Sequence, residues 1–396
     1  MFLLPVVWLE SVWVIKGEQK ARSREREVRA TRDTQRATRS LPPYHPTALP
    51  TRGVERDRFN CPPVRPSARP PGGVGGKGRT SNGTKFIELT VKSLANSPNS
   101  TGMAFWSINP YVGCELGCAY CYAHYAHRYT VERVHGDECT EPAFTQHIFV
   151  KQRKAVRHAL RRDIARIQRH SSPGNPATVA IGTATDPYQS AERHFGITRT
   201  ILEQFLTTEG IELGITTKSP LVCRDIDVLL ELGRRHKVTV YVSLICKTTR
   251  LIRLFEPHSP SPQARLRALF RLREAGISAG INAAPVLPGV TDSIFEIEAL
   301  MNAARQAHVS FVYPSVLRMY PSVRSEFLPV IERHFPNLMP RYRAAYSQRQ
   351  SAPSNYEAAI RRRFERLARR YGINSGDPFK REERPSSEPE AQLRLL

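Results

Sequence analysis

Three cysteines, Cys114, Cys118 and Cys121, are spaced C-x3-C-x2-C in the segment Asn109–Tyr129, NPYVGCELGCAYCYAHYAHRY. Thiols crowded in this way point to a metal site. Their neighbours are Gly, Glu, Tyr and Asn-Pro, not the apolar strand that would bury them as inert packing. Gly113 and Gly117 let the backbone curl so that three sulfurs converge. Two kinds of site fit the spacing. Zinc takes four ligands in a closed tetrahedron, with His124 or Cys139 as the fourth. An iron–sulfur cluster also takes thiolates, and three of them leave one iron open for chemistry.

The elements that must carry this loop are legible downstream of Phe86. Strands are expected over Phe86–Val91, Ala177–Thr183, Ile211–Thr216, Val238–Ile245, Ile277–Pro285 and Ser310–Val316. Segments of helical period alternate with them at Lys151–His170, Thr198–Thr207, Arg224–Arg235, Pro262–Ala275 and Asp292–Ala307. Pro262 suits a first helical turn and Gly276 suits the position after the last one. Strand, helix, strand at regular intervals predicts βαβ units and a parallel sheet. The periodicity leaves a doubly wound sheet and a complete or partial barrel open. Two further helices, near Val323–Gln350 and Tyr356–Tyr371, lead into a polar tail.

Composition bounds the rest. The chain has 396 residues, a net charge of +23, 40% hydrophobic and 24% charged residues, which excludes a wholly disordered protein. Seven cysteines fit a reducing cytosol better than a disulfide scaffold. The apolar start, MFLLPVVWLESVWVI, has no basic n-region and contains Glu10, and no apolar run reaches the roughly 18–20 residues of a membrane span. A soluble cytoplasmic protein is expected. Residues 1–85 hold 17 Lys/Arg against 7 Asp/Glu and are dense in proline and glycine, the composition of a disordered basic tail.

With Tyr120 just before the last cysteine, the loop resembles the signature of radical S-adenosylmethionine (SAM) enzymes. Further motifs follow in order: GTATDPYQSAE (182–192), TKSPLVCRDID (217–227), EPHSPSPQARLRAL (256–269) and PVLPGVTD (285–292). Together these are similar to the spore photoproduct lyase-like branch, often described as DNA repair lyases, from about Ile108 to about Phe327. The resemblance implies a partial (β/α)6 barrel over 86–327, after the tail of 1–85 and before C-terminal helices (328–375) and a polar tail (376–396). It implies a 4Fe-4S cluster on Cys114, Cys118 and Cys121, SAM as cofactor, and an electron donor such as a flavodoxin or ferredoxin. The implied activity is that of a lyase on nucleic acid, DNA favoured.

Barrels of this kind place function at the C-terminal ends of their strands, where the motifs fall. The methionyl carboxylate of SAM wants a cation, and Lys218 closes the third predicted strand. Ser243, polar inside the run VYVSLI, is placed to hydrogen-bond the same group. Thr183, Thr185 and Asp186 offer acceptors for the amine or ribose, and Tyr120 and Tyr122 offer flat surfaces beside the adenine. The branch also implies a hydrogen-donating cysteine; Cys223 and Cys246 are the candidates here, and each also fits an ordinary buried position. Independently, KQRKAVRHALRRDIARIQRH (151–170) and RRRFERLARR (361–370) are basic helices suited to phosphates. A radical SAM enzyme on a protein or small molecule, and a non-catalytic metal-stabilised nucleic-acid-binding module, are the alternatives.

Overall fold

The computed structural model describes residues 84–124, 144–172 and 174–377. The expected basic tail short of Thr84, Cys139, and the polar tail beyond Asp377 lie outside these residues. Eleven strands are described: β1 (Lys85–Leu89), β2 (Ala95–Asn96), β3 (Trp106–Ile108), β4 (Tyr111–Val112), β5 (His147–Lys151), β6 (Thr178–Ile181), β7 (Glu212–Thr217), β8 (Lys237–Ser243), β9 (Ser278–Val286), β10 (Phe311–Val316) and β11 (Asn374–Ser375). The large sheet has the order β11-β10-β9-β8-β7-β6-β3-β2. Its strands from β3 to β10 pair in parallel, with β2 antiparallel at one edge and β11 parallel at the other. Six consecutive parallel strands with helical crossovers and two unjoined edges make a partial (β/α)6 barrel.

Register fixes two faces. Ile108, Ile181, Leu213, Ile215, Val240, Val242, Ile281 and Val312 belong to one face and are buried in the core under the helices. The other face lines the lumen. There, Thr216 pairs with Tyr241 and Tyr241 with Gly280; one layer nearer the mouth, Ser243 pairs with Asn282 and Asn282 with Tyr313. The period of two along each strand separates these faces. Gly280 is required by its neighbour, since a Cβ there would sit 2.5 Å from the Phe311 carbonyl oxygen. Its absence lets Phe311 reach Tyr241 edge-on, ring centroids 5.1 Å apart, across the lumen floor.

The helices begin where their sequences say they should. Ser261 accepts from the Ala264 N–H ahead of helix Pro262–Glu274, and Ser293 accepts from the Glu296 N–H ahead of helix Ile294–Gln306. Gly276 leaves its helix at φ +84°, the left-handed region glycine occupies freely. No helix among the described residues is long and apolar enough to cross a membrane.

Several sequence expectations need correction. The strand near Phe86 is not the first of the barrel: β1 pairs with β5, and with β4 they form a separate three-stranded sheet. The first parallel strand is β3, whose three residues are too short a run to stand out. Residues His147–Lys151 extend as β5 before helix Arg153–Gln168 begins. The stretch from Arg224 enters its helix through a 3-10 turn, Pro220–Asp225, and Thr249–Phe255 is a helix that the pattern did not reveal. Val323–Gln350 divides into helices Pro321–His334 and Met339–Ala345, because Pro336 cannot continue the first.

Candidate active site

The cysteine loop leaves β4 through Gly113, at φ +86°, where a Cβ would lie 2.7 Å from the His147 carbonyl oxygen. The loop is then tied at several points. The Cys114 N–H donates to the Phe144 carbonyl at 3.2 Å, the Ala119 N–H to Phe255 at 2.9 Å, and the His258 N–H to Leu116 at 3.3 Å. From the GTATDPYQ segment, Thr185 Oγ1 donates to the Gly113 carbonyl at 2.7 Å and Gln189 Nε2 to the same oxygen at 3.2 Å. Gln189 Oε1 in turn accepts from the Glu115 N–H.

Burial pushes the Cys114 thiol well up, and the charges of Asp186, Cys118 and Cys121 add to it. Cys118 is pushed up to about 12, mainly by burial, with Lys218 opposing. Burial likewise raises Cys121. Cys114, Cys118 and Cys121 are free thiols on one loop, the donor chemistry that a metal cluster takes. A cubane spreads its thiolates over separate irons, so the arrangement fits an iron–sulfur cluster.

Beneath Cys118 lies a network that sequence reasoning missed. Glu256 and Arg265 form an ion pair with both side chains fully buried. Glu256 also accepts from the Tyr120 hydroxyl and, at 2.8 Å, from Ser259 Oγ. Arg265 also donates to the carbonyls of Ser243, at 2.8 Å, and Pro260, at 2.9 Å, and to Ser259 Oγ at 2.5 Å. Burial would raise the Glu256 carboxyl, but Arg265 and Lys218 hold it below the usual range. A signal existed: Arg265 shares one helix face with Pro262, Ala268, Leu269 and Leu272, all buried.

Lys218 follows β7 and carries its ammonium 5.7 Å from the centroid of the Tyr120 ring. Burial disfavours that charge, yet Cys118 and Glu256 hold the ammonium firmly protonated. Ser243 is buried in the lumen beside Asn282, whose Oδ1 is buried and has no hydrogen-bond partner. Tyr122 donates to the Thr183 carbonyl, its ring centroid 6.1 Å from that of Tyr320.

Other predicted site residues are turned inward to the scaffold. Asp186 accepts from Thr217 Oγ1 at 2.6 Å, from the Tyr188 N–H at 2.8 Å and from the Lys218 N–H at 2.7 Å, so it shapes the strand end that presents Lys218. Thr183 Oγ1 lies 2.6 Å from Ser107 Oγ and accepts from Asn109 Nδ2 at 3.1 Å. Asn109 also receives Lys151 Nζ on its carbonyl, and burial lowers that ammonium to about 8. The two cysteines considered as hydrogen donors are both buried. Cys223 Sγ lies 3.6 Å from the Ala268 carbonyl of helix Pro262–Glu274, and Cys246 Sγ 3.7 Å from that of Thr248.

Comparison with known proteins follows this geometry. An uncharacterised protein of Mycobacterium tuberculosis (strain ATCC 25618 / H37Rv) is 33% identical over 299 residues, 74% of this chain and 83% of the relative. An uncharacterised protein of Methanocaldococcus jannaschii is 26% identical over 252 residues, 64% of this chain and 84% of its own length. Among solved structures, a spore photoproduct lyase variant with bound AdoMet and dinucleoside spore photoproduct superposes with a TM-score of 0.55 at 15% identity, covering 74% of this chain and 81% of that one. This likeness is one of fold. The Radical SAM superfamily pattern matches residues 108–301, from the end of β3 through the cysteine loop to the helix after β9. The loop, the barrel around it and this match place the chain in the radical SAM superfamily of enzymes.

Proposed function

We propose that this enzyme holds a 4Fe-4S cluster on Cys114, Cys118 and Cys121 and turns its chemistry on nucleic acid, DNA foremost. The observation that carries the reading is Lys218, a half-buried lysine at a barrel strand end whose ammonium lies over the Tyr120 ring and feels the charge of Cys118. When bound, the cluster supplies the electron that cleaves SAM and releases a 5′-deoxyadenosyl radical. The chain's residues bind and orient. Lys218 offers SAM's carboxylate a charge-assisted bond. Ser243 and the unpartnered Asn282 oxygen offer polar contacts in the lumen, and Tyr122 a flat ring at its side. Tyr120, fixed by Glu256, is a wall of the site and also keeps water from the thiols. Thr185 and Asp186 act on the loop and on Lys218 rather than on SAM.

The preference for nucleic acid rests on surface charge. On helix Arg153–Gln168, Lys154, Arg157 and Arg161 are exposed and engage no carboxylate among the described residues. Arg362, Arg366 and Arg369 repeat the pattern on helix Ser354–Tyr371. Stripes of this kind neutralise phosphates without reading sequence. The similarly folded spore photoproduct lyase, bound to AdoMet and dinucleoside spore photoproduct, lends support.

Anaerobic reconstitution tests the reading. The protein should be brown, hold about four irons per chain, and with dithionite convert SAM slowly into 5′-deoxyadenosine and methionine. Added DNA should accelerate the conversion. Iron-loaded protein that never forms 5′-deoxyadenosine would overturn the SAM assignment, and an absence of DNA binding at low salt would move the substrate to protein or small molecule.

A further inference from the structure

Reduction of a buried cluster needs an electron to arrive from outside, and the cysteine loop approaches the surface on one side. Gly117 is partly exposed, and a Cβ built there would lie 3.2 Å from the His258 ring and 3.6 Å from Pro257. Both of these residues are exposed. They follow helix Thr249–Phe255, whose last carbonyl accepts the Ala119 N–H, so the end of this helix abuts the loop between two cysteines. The same helix and its approach carry Lys247, Arg250 and Arg253, all exposed. None of the three meets a carboxylate among the described residues. From Leu244 to Arg273 the chain has a single acidic residue, Glu256, and it is buried under Arg265. The exposed charges of this stretch itself are all positive, and the carboxylate that meets it, Glu296, is engaged by Thr248 Oγ1 at 2.8 Å.

We propose that the surface formed by Gly117, Pro257 and His258, flanked by Lys247, Arg250 and Arg253, is the docking site of a small acidic one-electron carrier. The proposal rests on the cysteine loop holding the cluster. The carrier gives up one electron and leaves oxidised by one; the cluster gains that electron, and no bond or proton is exchanged. Transient redox partners use small contact areas, and opposite charge raises their rate of encounter more than their final affinity. Cations beside the loop's exposed edge serve that purpose, because long-range attraction brings the carrier to the place nearest the thiols.

The test uses the reconstituted full-length enzyme and reduced flavodoxin as the acidic carrier. Arg250→Glu with Arg253→Glu should slow flavodoxin-driven reduction of the cluster at least tenfold at low salt and weaken flavodoxin binding measured directly. The difference should shrink as salt rises past the screening range. Dithionite should reduce the variant to the same extent as the wild type. Arg157→Glu with Arg161→Glu, far along the chain from the loop, should leave flavodoxin binding unchanged. Equal effects of the two variant pairs on flavodoxin binding would overturn the proposal, as would a loss of DNA binding in Arg250→Glu/Arg253→Glu with flavodoxin binding intact. If dithionite fails to reduce the wild type, the cluster assignment fails, whereas flavodoxin binding, which needs no iron, still decides for or against the docking site.

Discussion

The Lys218 ammonium stands 5.7 Å from the centroid of the Tyr120 ring, joining the end of the third parallel strand to the cysteine loop. Neither residue is near the other in sequence, and each is fixed from behind: Lys218 by Asp186 on its N–H, Tyr120 by Glu256 on its hydroxyl. Lys218→Met keeps the bulk of the stem and deletes the charge. Loss of one charge-assisted bond in a partly dry site costs about 1.5–3 kcal/mol, so SAM affinity should fall by about one to two decades while iron content holds. Equilibrium binding of SAM checks this, and wild-type affinity in Lys218→Met would show that the lysine serves structure alone.

The buried pair Glu256–Arg265 makes a harsher prediction. Removing one partner strands the other charge in the interior, at about 3–5 kcal/mol. Arg265→Leu should lower the denaturant midpoint sharply and leave the protein unable to retain iron. Tyr120→Phe, which removes only one bond to Glu256, should lose about 1 kcal/mol and still load iron. If Arg265→Leu melts like the wild type, the pair does not secure the loop.

Lys151 predicts a pH effect of definite sign. Its folded value is lowered from 10.5 to about 8 by burial, so between those values the unfolded chain binds more protons than the folded one. Stability contributed by this group therefore rises with pH across that window and is lowest below about 8. The unfolding free energy of the wild type, minus that of Lys151→Met, should climb from pH 8 to pH 10. A flat difference would mean that the ammonium is better solvated than its 9% exposure implies.

The basic helix is tested by salt. If Arg157 and Arg161 each neutralise one phosphate, reversing both to Glu should weaken binding to all DNA sequences alike. The slope of log affinity against log salt should fall by about two. SAM cleavage without DNA should be untouched. Sequence-selective weakening would instead point to contact with bases.

The sequence was most informative where a residue type has one plausible use. Three cysteines, the first two each preceded by a glycine, announced the loop, and five of the six parallel barrel strands were legible as β-branched runs of ordinary length. The first was not, because Trp106–Ile108 is three residues with a serine at its centre, and the longer run near Phe86 drew attention to the wrong sheet. Lys218 and Ser243 could be placed from strand ends alone. Thr185 and Asp186 bond to the Gly113 carbonyl and the Lys218 N–H, contacts no sequence pattern shows, because a polar residue in a motif looks the same whether it faces a ligand or the backbone. Glu256 and Arg265 stayed hidden for another reason. A charge is read as solvent-facing unless its helical phase is worked out, and here only the spacing of Pro262, Ala268, Leu269 and Leu272 around Arg265 marked the buried face.

The alternation along the barrel strands bears on how such an enzyme can change over generations. Residues facing the helices, such as Ile181, Ile215, Val240 and Ile281, are completely buried, and trimming any of them forfeits several methylene groups of core. Residues facing inward, such as Thr216, Asn282 and Tyr313, keep some exposure and carry little of that load. Substitutions there meet a weak stability penalty, so drift can accumulate on the inner surface while selection on foldability guards the outer one. One scaffold can then be recruited to new targets by replacing single residues two apart, with its folding left intact.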